Sequence, residues 1–187
     1  VAMMSAPFGG APTLPFNTAN APRAAAPTAA PNAIYDELAK LTPPRKHYQR
    51  YYQTPEANEN SWHPPQGLQA FLRAYYGQVD PDDLADRQLP DLYGAVLSHW
   101  GFARKRAPGQ ARVRAFNPTI EEHGWQSTHT IIEIVNDDMP FLVDSVTMEV
   151  NRHGLTLHLI IHPIIDVVRA TDGALTGVVA EGAASAL

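Results

Sequence analysis

The sequence contains no cysteine among its 187 residues, so it can form neither a disulfide framework nor a thiolate metal site. Charged residues make up 18% of the chain and the formal net charge is -5, which gives no field that attracts nucleic acid or an anionic membrane. No apolar run approaches the roughly 20 residues of a membrane-spanning helix, and no signal peptide is recognisable. These absences favour a cytoplasmic globular protein.

The sequence also lacks the short motifs that mark common catalytic and cofactor sites. It has no Gly-x-Gly-x-x-Gly fingerprint for a dinucleotide and no Walker loop for a phosphate. Ser127 and Ser145 lie outside any Gly-x-Ser-x-Gly motif, in which a serine is exposed as a nucleophile. We therefore predict no catalytic residue and no cofactor-binding residue in this chain.

Eight histidines raise the question of a metal site. His158 and His162 are expected on one face of a strand, where four residues at about 3.3 Å each separate them by about 13 Å. That separation is too wide for one ion, whose bonds to histidine are about 2 Å long. His123 and His129 flank a loop without a carboxylate at a recognised ligand spacing. We predict no metal site.

Residues 1–60 are rich in alanine and proline, most densely over the first 33. Recurrent proline blocks helices, and the small bulky apolar content cannot offset the entropy lost on ordering. This composition predicts a disordered leader and linker, with a short helix over 34–41. The run from Arg45 to Tyr52 alternates basic and aromatic residues and fits either a solvated amphipathic turn or stacking on nucleic acid. The acidic balance of the whole chain favours the turn.

Apolar residues at helical spacing predict a small helical subdomain over 66–108. Its first helix ends at Gly77, and its spacing follows i, i+3, i+4 and i+7: Leu68, Phe71, Leu72 and Tyr75. Asp80 before Pro81 predicts a capped helical turn. A third helix is predicted over about 90–106.

The last turn of that third predicted helix is basic, with Arg104, Lys105 and Arg106 in succession. Cations at a helix C-terminus stabilise the negative end of its dipole. A ligand clamp is the alternative interpretation of the three residues. We favour the effect on the helix end.

The stretch from 128 to 168 reads as strand, tight turn, helix and strand. Thr130, Ile132 and Ile134 alternate as in a half-buried strand. Asp138 is placed to cap the following helix, with Pro140 in its first turn. Valines then recur at helical spacing, and Gly154 follows as a C-terminal glycine. The pattern predicts a β-α-β unit.

The same stretch resembles the N-terminal region of the large bacterial NAD-specific glutamate dehydrogenases. The residues that carry the resemblance are HGWQSTHTIIEIV, NDDMPFLVDSVTMEVNRHGL and HLIIHPI, and the likeness extends over roughly Gln66 to Gly177. In that family the region is an ACT-like regulatory module far upstream of the catalytic domain. The resemblance thus implies part of an enzyme that uses NAD, without the enzyme's chemistry in this chain.

The resemblance implies an α/β (α+β) fold in which 111–187 form an incomplete, ferredoxin-like ACT unit. An ACT unit is β-α-β-β-α-β. Leu175–Ala180 is expected to begin the third strand and to lie between the first two, and only seven residues follow it. We therefore expect a truncated chain. Ahead of this unit come the helical subdomain and the disordered leader.

ACT modules hold amino acids at the turn between the first strand and the helix, so the resemblance implies five ligand-binding residues: Asp138, Met139, Pro140, Phe141 and Leu142. The usual turn is Asp-x-Pro-Gly-Leu, and Phe141 replaces the glycine that lets a ligand approach the backbone. Phe141 is expected to fill that space, and the two adjacent aspartates oppose an anion. A structural role is therefore at least as well supported as amino-acid sensing.

The resemblance implies the N-terminal, non-catalytic regulatory or assembly portion of an NAD-dependent glutamate dehydrogenase. Its expected partners are the rest of the same enzyme chain and further copies of itself, with an amino-acid effector as an additional ligand and with neither nucleic acid nor membrane. The alternatives are a stand-alone amino-acid sensor, an oligomerisation module and an independent enzyme.

Overall fold

The computed structural model describes residues 2–5 and 67–179. Among these residues the strands are β1 (Ala2–Ser5), β2 (Arg112–Phe116), β3 (Thr130–Val135), β4 (Leu157–Ile161), β5 (Val167–Arg169) and β6 (Leu175–Val178). The helices are α1 (Leu68–Tyr76), α2 (Pro81–Leu84), α3 (Leu89–Ala103), α4 (Ile120–His123) and α5 (Leu142–Arg152). No helix among them has the length and hydropathy needed to cross a membrane.

Helices α1 and α3 form the helical layer, and the apolar spacing of α1 explains its packing. All four residues that predicted α1 are buried. The rings of Phe71 and Trp100 meet edge to face with centroids 5.0 Å apart, an arrangement that contributes about 0.5–1.5 kcal/mol beyond area burial. The backbone N–H of Asp82 donates to Asp80 at 3.0 Å, which confirms the predicted cap of α2.

Helix α3 ends at Ala103, so its predicted end near residue 106 is wrong. The chain leaves the helix to pair with the hairpin of β5 and β6. Leu175 N–H donates to the carbonyl of Arg104 at 2.7 Å, and Arg106 N–H donates to the carbonyl of Gly173 at 3.0 Å. These bonds replace the helical ones, so Arg106 is fixed beside the hairpin.

The four-stranded sheet has the order β2-β3-β1-β4. Strand β1 is antiparallel to both neighbours, with Met3 opposite Ile132 and Ile160, so β3 and β4 run parallel with one strand between them. Helix α5 connects β3 to β4. The predicted incomplete ACT-like βαβ unit is confirmed.

The strand between β3 and β4 is not the one expected from the sequence. Residues 175–178 form β6, which pairs with β5 in a separate two-stranded sheet. The central place belongs to residues 2–5, which also differ from the disorder expected of the leader. Two parallel strands separated by a gap have unpaired backbone groups, and a short strand antiparallel to both satisfies them. The rest of the predicted leader, including the helix over 34–41 and the run over 45–52, lies outside the described residues.

Helices cover both faces of the sheet. One buried core joins α1 and α3 to the sheet through three strand residues: Ile131, Leu159 and Ile161. On the other face Leu142 and Val146 of α5 pack against Ile132 and Ile134. Only Val150 of α5 is buried, so this second layer is thin. The helical layer and the sheet share a core, and their division into 66–108 and 111–187 stays a prediction.

Gly94 of α3 allows the buried indole of Trp125 to lie directly on the helix. A Cβ atom at Gly94 would stand 2.4 Å from Trp125 Cβ and Cγ. We predict that Gly94→Ala destabilises the chain by about 1–3 kcal/mol through overpacking, although alanine favours a helix interior by about 1 kcal/mol. Urea unfolding measures the change, with Ser145→Ala on the exposed side of α5 as the control. A raised midpoint for Gly94→Ala contradicts this packing.

Candidate functional site

The turn between β3 and α5 contains an unusual backbone conformation at Phe141. Its φ angle is 62°, and among residues 2–5 and 67–179 it is the one non-glycine residue with a positive φ. Such a conformation costs an L-residue about 1–2 kcal/mol, and strain of this kind concentrates at functional sites. Phe141 therefore adopts the left-handed conformation at the position where the ACT pattern has glycine.

The start of α5 differs from the predicted start. Helix α5 begins at Leu142, with Phe141 as N-cap residue and no side-chain cap. Asp138 does not cap it, because Met139 and Pro140 separate Asp138 from the cap position. Pro140 lies in the turn rather than in the first helical turn.

The ring of Phe141 was expected to fill the space beside the backbone. It does not do so, because the residue is 75% exposed. Met139 is also exposed. Of the five predicted ligand-binding residues, Asp138 and Leu142 line a cavity behind the turn, whereas Met139, Pro140 and Phe141 do not. The structure therefore brings two of the five to one concave surface.

That cavity has a volume of about 250 Å³. Its walls come from α1, the end of α3, the end of β3 with the following turn, and residues 162–169. The helical layer thus contributes one side of the cavity and the ACT-like unit the other. His162, which lies beyond the end of β4, faces the cavity, while the ring of His158 lies 4.5 Å from that of His129. The two histidines predicted to share one strand face therefore have different surroundings.

Arg106 is the most buried charged residue in the cavity wall, at 7% exposure. Its Nη1 donates to Asp137 Oδ2 at 3.1 Å and to the carbonyl of Gln110 at 3.1 Å, and its Nη2 donates to Asp137 Oδ1. Its Nε is buried and has no hydrogen-bond partner. The hydrogen bonds from Arg106 lower the pKa of Asp137. A residue predicted to stabilise a helix end thus clamps the turn instead.

Arg169 adds a second guanidinium to the same wall. Its Nη1 donates to the carbonyls of Ala103 at 2.9 Å and Gly173 at 3.0 Å, and its buried Nε has no partner. Burial lowers the pKa of Arg169, as does the nearby charge of Arg106, while Asp137 raises it. Asp137 thus pairs with Arg106 and acts on Arg169 only through its charge. Sequence reasoning missed Arg169, which no motif distinguishes.

A neutral polar pair completes the cavity. His99 Nδ1 lies 3.2 Å from Tyr75 Oη in a buried contact. Burial lowers the pKa of His99 to about 3, and burial also raises the pKa of Tyr75. Both side chains are therefore uncharged near neutral pH, and the positive charge of the cavity belongs to its arginines.

The buried acid Glu133 serves the fold rather than the cavity. Its side chain is 1% exposed and accepts from Arg114 Nε at 2.7 Å, while Arg114 Nη2 donates to Ser98 Oγ at 2.8 Å. Burial raises the pKa of Glu133, and Arg114 opposes that rise. The pair ties β2, β3 and α3 together. The sequence signal for this pair was a charged residue, Glu133, within the apolar run of β3.

Metal-ligand geometry is absent from the part of the chain that the structure describes: no three histidine, aspartate or glutamate side chains there lie close enough to share an ion. The polar groups that line the cavity offer hydrogen bonds and charge pairing. They suit the binding of a small polar molecule.

Comparison with known proteins agrees with this geometry. Residues 71–186 match the family described as glutamate dehydrogenase, ACT1 domain. The chain belongs to this family. It is 51% identical over 102 residues to an NAD-specific glutamate dehydrogenase of Halomonas elongata, covering 54% of this chain and 6% of that protein. It is 40% identical over 112 residues to an NAD-specific glutamate dehydrogenase of Pseudomonas aeruginosa, covering 60% of this chain and 7% of that protein.

The ACT1 chain thus spans only a small part of the length of these relatives. No solved structure matches it. The resemblance to the N-terminal region of the large glutamate dehydrogenases is confirmed at the level of the family. The matched residues include the whole β3–α5–β4 unit and the cavity residues of the turn.

The strain at Phe141 predicts the effect of restoring glycine. Phe141→Gly should raise the free energy of unfolding of the ACT1 chain by about 0.5–1 kcal/mol, because glycine adopts a positive φ freely but loses more entropy on folding. Phe141→Ala removes the ring and keeps the Cβ, so it should bring no such gain. Urea unfolding of both variants decides the point. Equal effects of the two substitutions contradict the strain.

The buried His99 predicts a pH dependence of stability. Its pKa is lowered to about 3 in the folded chain from about 6.5 when unfolded. Protonation therefore favours the unfolded chain, and the contribution of His99 is complete above pH 6.5 and is lost as the pH falls toward 3. The loss approaches about 1.4 kcal/mol per pH unit within that window.

His99→Asn removes the titrating group and should flatten this dependence. Urea unfolding at a series of pH values gives the difference in stability between the original and the variant chain, in which contributions common to both, such as that of Glu133, cancel. A difference that stays constant between pH 6.5 and 4 contradicts a neutral, buried His99.

Proposed function

We propose that this chain is the N-terminal, non-catalytic regulatory and assembly portion of an NAD-dependent glutamate dehydrogenase. The whole enzyme would convert L-glutamate, NAD and water to 2-oxoglutarate, ammonium and NADH. NAD would bind elsewhere in that enzyme. The partners of this portion would be the rest of the same enzyme chain and further copies of the enzyme.

This proposal rests on the small share of each relative's length that the chain covers, which is 6% in one and 7% in the other. A region of that size leaves nearly all of the enzyme to hold the reaction. The cavity supports the same division, because its volume of about 250 Å³ lies below the roughly 300–1,000 Å³ of most ligand pockets. A dinucleotide needs a larger site, and the glycine-rich turn that holds its pyrophosphate is missing from the sequence.

Assembly is supported by two apolar side chains at α5 that the described part of the chain leaves exposed. Phe141 is the N-cap residue of α5 and Met148 lies in the middle of the helix, and both are strongly exposed. Exposed apolar surface of this kind marks sites of protein contact. A sensor is the second candidate, and the paired arginines beside the turn favour it.

The proposal predicts that the isolated chain forms no NADH from glutamate and NAD. In the parent enzyme, the double variant Phe141→Asp with Met148→Asp should reduce the assembled mass, because two carboxylates at a buried contact lack partners. Both side chains are exposed in the chain itself, so its folding should be preserved.

Light scattering on the parent enzyme measures the mass, and an NADH assay measures activity per subunit. Asn151→Asp, an exposed substitution on the same helix, is the matched control. Glutamate-dependent NADH formation by the isolated chain contradicts the non-catalytic assignment. An unchanged mass in the double variant contradicts the assembly role of α5 and leaves regulation as the function.

A further inference from the structure

Asp137 and Arg106 form an unequal pair. The guanidinium of Arg106 is buried in the cavity wall, whereas the side chain of Asp137 is 63% exposed. A buried cation left without a counter-charge is strongly destabilising, so Arg106 requires a carboxylate. Its partner Asp137 belongs to an exposed turn, so another carboxylate can replace that of Asp137 at Arg106.

The same cavity is lined by a second arginine, Arg169, and by three aspartates, Asp137, Asp138 and Asp166. Arg169 hydrogen-bonds to backbone carbonyls, and among the described residues no carboxylate forms an ion pair with it. Its Nε and that of Arg106 are buried without a hydrogen-bond partner, a condition that proteins rarely tolerate without a ligand or water. Arg169 is therefore the group in this wall that is available to pair with a carboxylate of a ligand.

We propose that the cavity behind the β3–α5 turn binds a small molecule through a carboxylate group that pairs with Arg169 and competes with Asp137 for Arg106. Asp137 then acts as an internal occupant that holds the empty site closed. Arginine suits this exchange because its planar fork binds a carboxylate with two parallel hydrogen bonds. The cavity volume of about 250 Å³ restricts the ligand to a small metabolite.

Release of Asp137 would have a consequence for the helix. Asp137 and Phe141 belong to one turn, and the ion pair to Arg106 holds that turn against the segment that follows α3. A ligand that displaces Asp137 removes this contact and allows the strained turn to relax together with the start of α5. Binding thereby changes the surface that the proposed function assigns to assembly, and this regulatory consequence rests on that function.

The rim of the cavity discriminates between acids that carry an ammonium group and acids that do not. Asp138 and Asp166 line it and are exposed, so they oppose a second negative charge and favour an ammonium group, within the limits set by screening in salt. L-glutamate and glutarate carry the same two carboxylates, and only L-glutamate has the ammonium. Glutaramide has the shape of glutarate without its charges.

The test is isothermal titration of the full chain with each of these three compounds at constant ionic strength. L-glutamate should bind saturably and more tightly than glutarate, and glutaramide should not bind. Arg169→Gln should weaken binding by about tenfold or more, the loss typical of a charged hydrogen bond. Asp137→Asn should tighten it several-fold, since it frees Arg106 for the ligand.

Arg152→Gln is the matched control, because Arg152 is an exposed arginine that pairs with Glu149 at the far end of α5; its variant should bind as the original chain does. Thermal melting followed by circular dichroism verifies the fold of each variant. Tightening by Asp137→Asn is a result that a damaged fold cannot produce. An absence of saturable binding by both acids, or weakening by Asp137→Asn, overturns the proposal.

Failure of this inference is distinguishable from failure of the proposed function. Binding by the chain without any change in the kinetics or mass of the parent enzyme contradicts only the regulatory consequence. A parent enzyme whose assembly depends on Phe141 and Met148, with a chain that binds neither acid, contradicts only the carboxylate site.

Discussion

The left-handed conformation of Phe141 is the constraint on which the β3–α5–β4 unit depends. It ends the turn after β3 and starts α5 in the direction that lays the helix over the sheet. The same turn places Asp137 on the buried guanidinium of Arg106. A local backbone strain therefore determines both where the helix packs and which charges meet behind it. This connection explains why the conformation is retained although the residue is not glycine.

The two faces of the sheet differ in how firmly they are covered. The face under α1 and α3 contains the aromatic core and the buried Glu133–Arg114 pair, so it is held by both apolar area and charge. The face under α5 has a single buried helix residue, Val150. A rigid layer thus supports the cavity from one side, while a thinly packed helix borders it on the other. This arrangement suits a module in which a change at the cavity alters the contacts of α5.

Local sequence patterns predicted the elements that are stabilised by contacts between neighbours in the sequence. The spacing from Leu68 to Tyr75 sufficed for α1, and Asp80 with Pro81 sufficed for the cap of α2, because neighbours in sequence make those contacts. The pattern of strand, turn and helix over 128–168 predicted the βαβ unit, and the family resemblance identified the unit as ACT-like. Of the five residues predicted to bind a ligand at the turn, only Asp138 and Leu142 line the cavity, and ligand binding there stays a prediction.

The remaining features depend on contacts between distant residues, which a local pattern does not contain. Arg106 ended up beside Gly173 and Asp137 rather than at a helix end, since backbone bonds to the hairpin stop α3 early. Residues 2–5 pair between β3 and β4, more than 120 positions away in sequence. Arg169 gains its role only from the fold that brings it to Ala103.

The proposed non-catalytic role implies that this chain does not bind the coenzyme NAD. Equilibrium dialysis of the full chain against NAD measures this most directly. The account predicts equal NAD concentrations on both sides of the membrane at every chain concentration, whereas saturable, stoichiometric retention of NAD by the chain would contradict it.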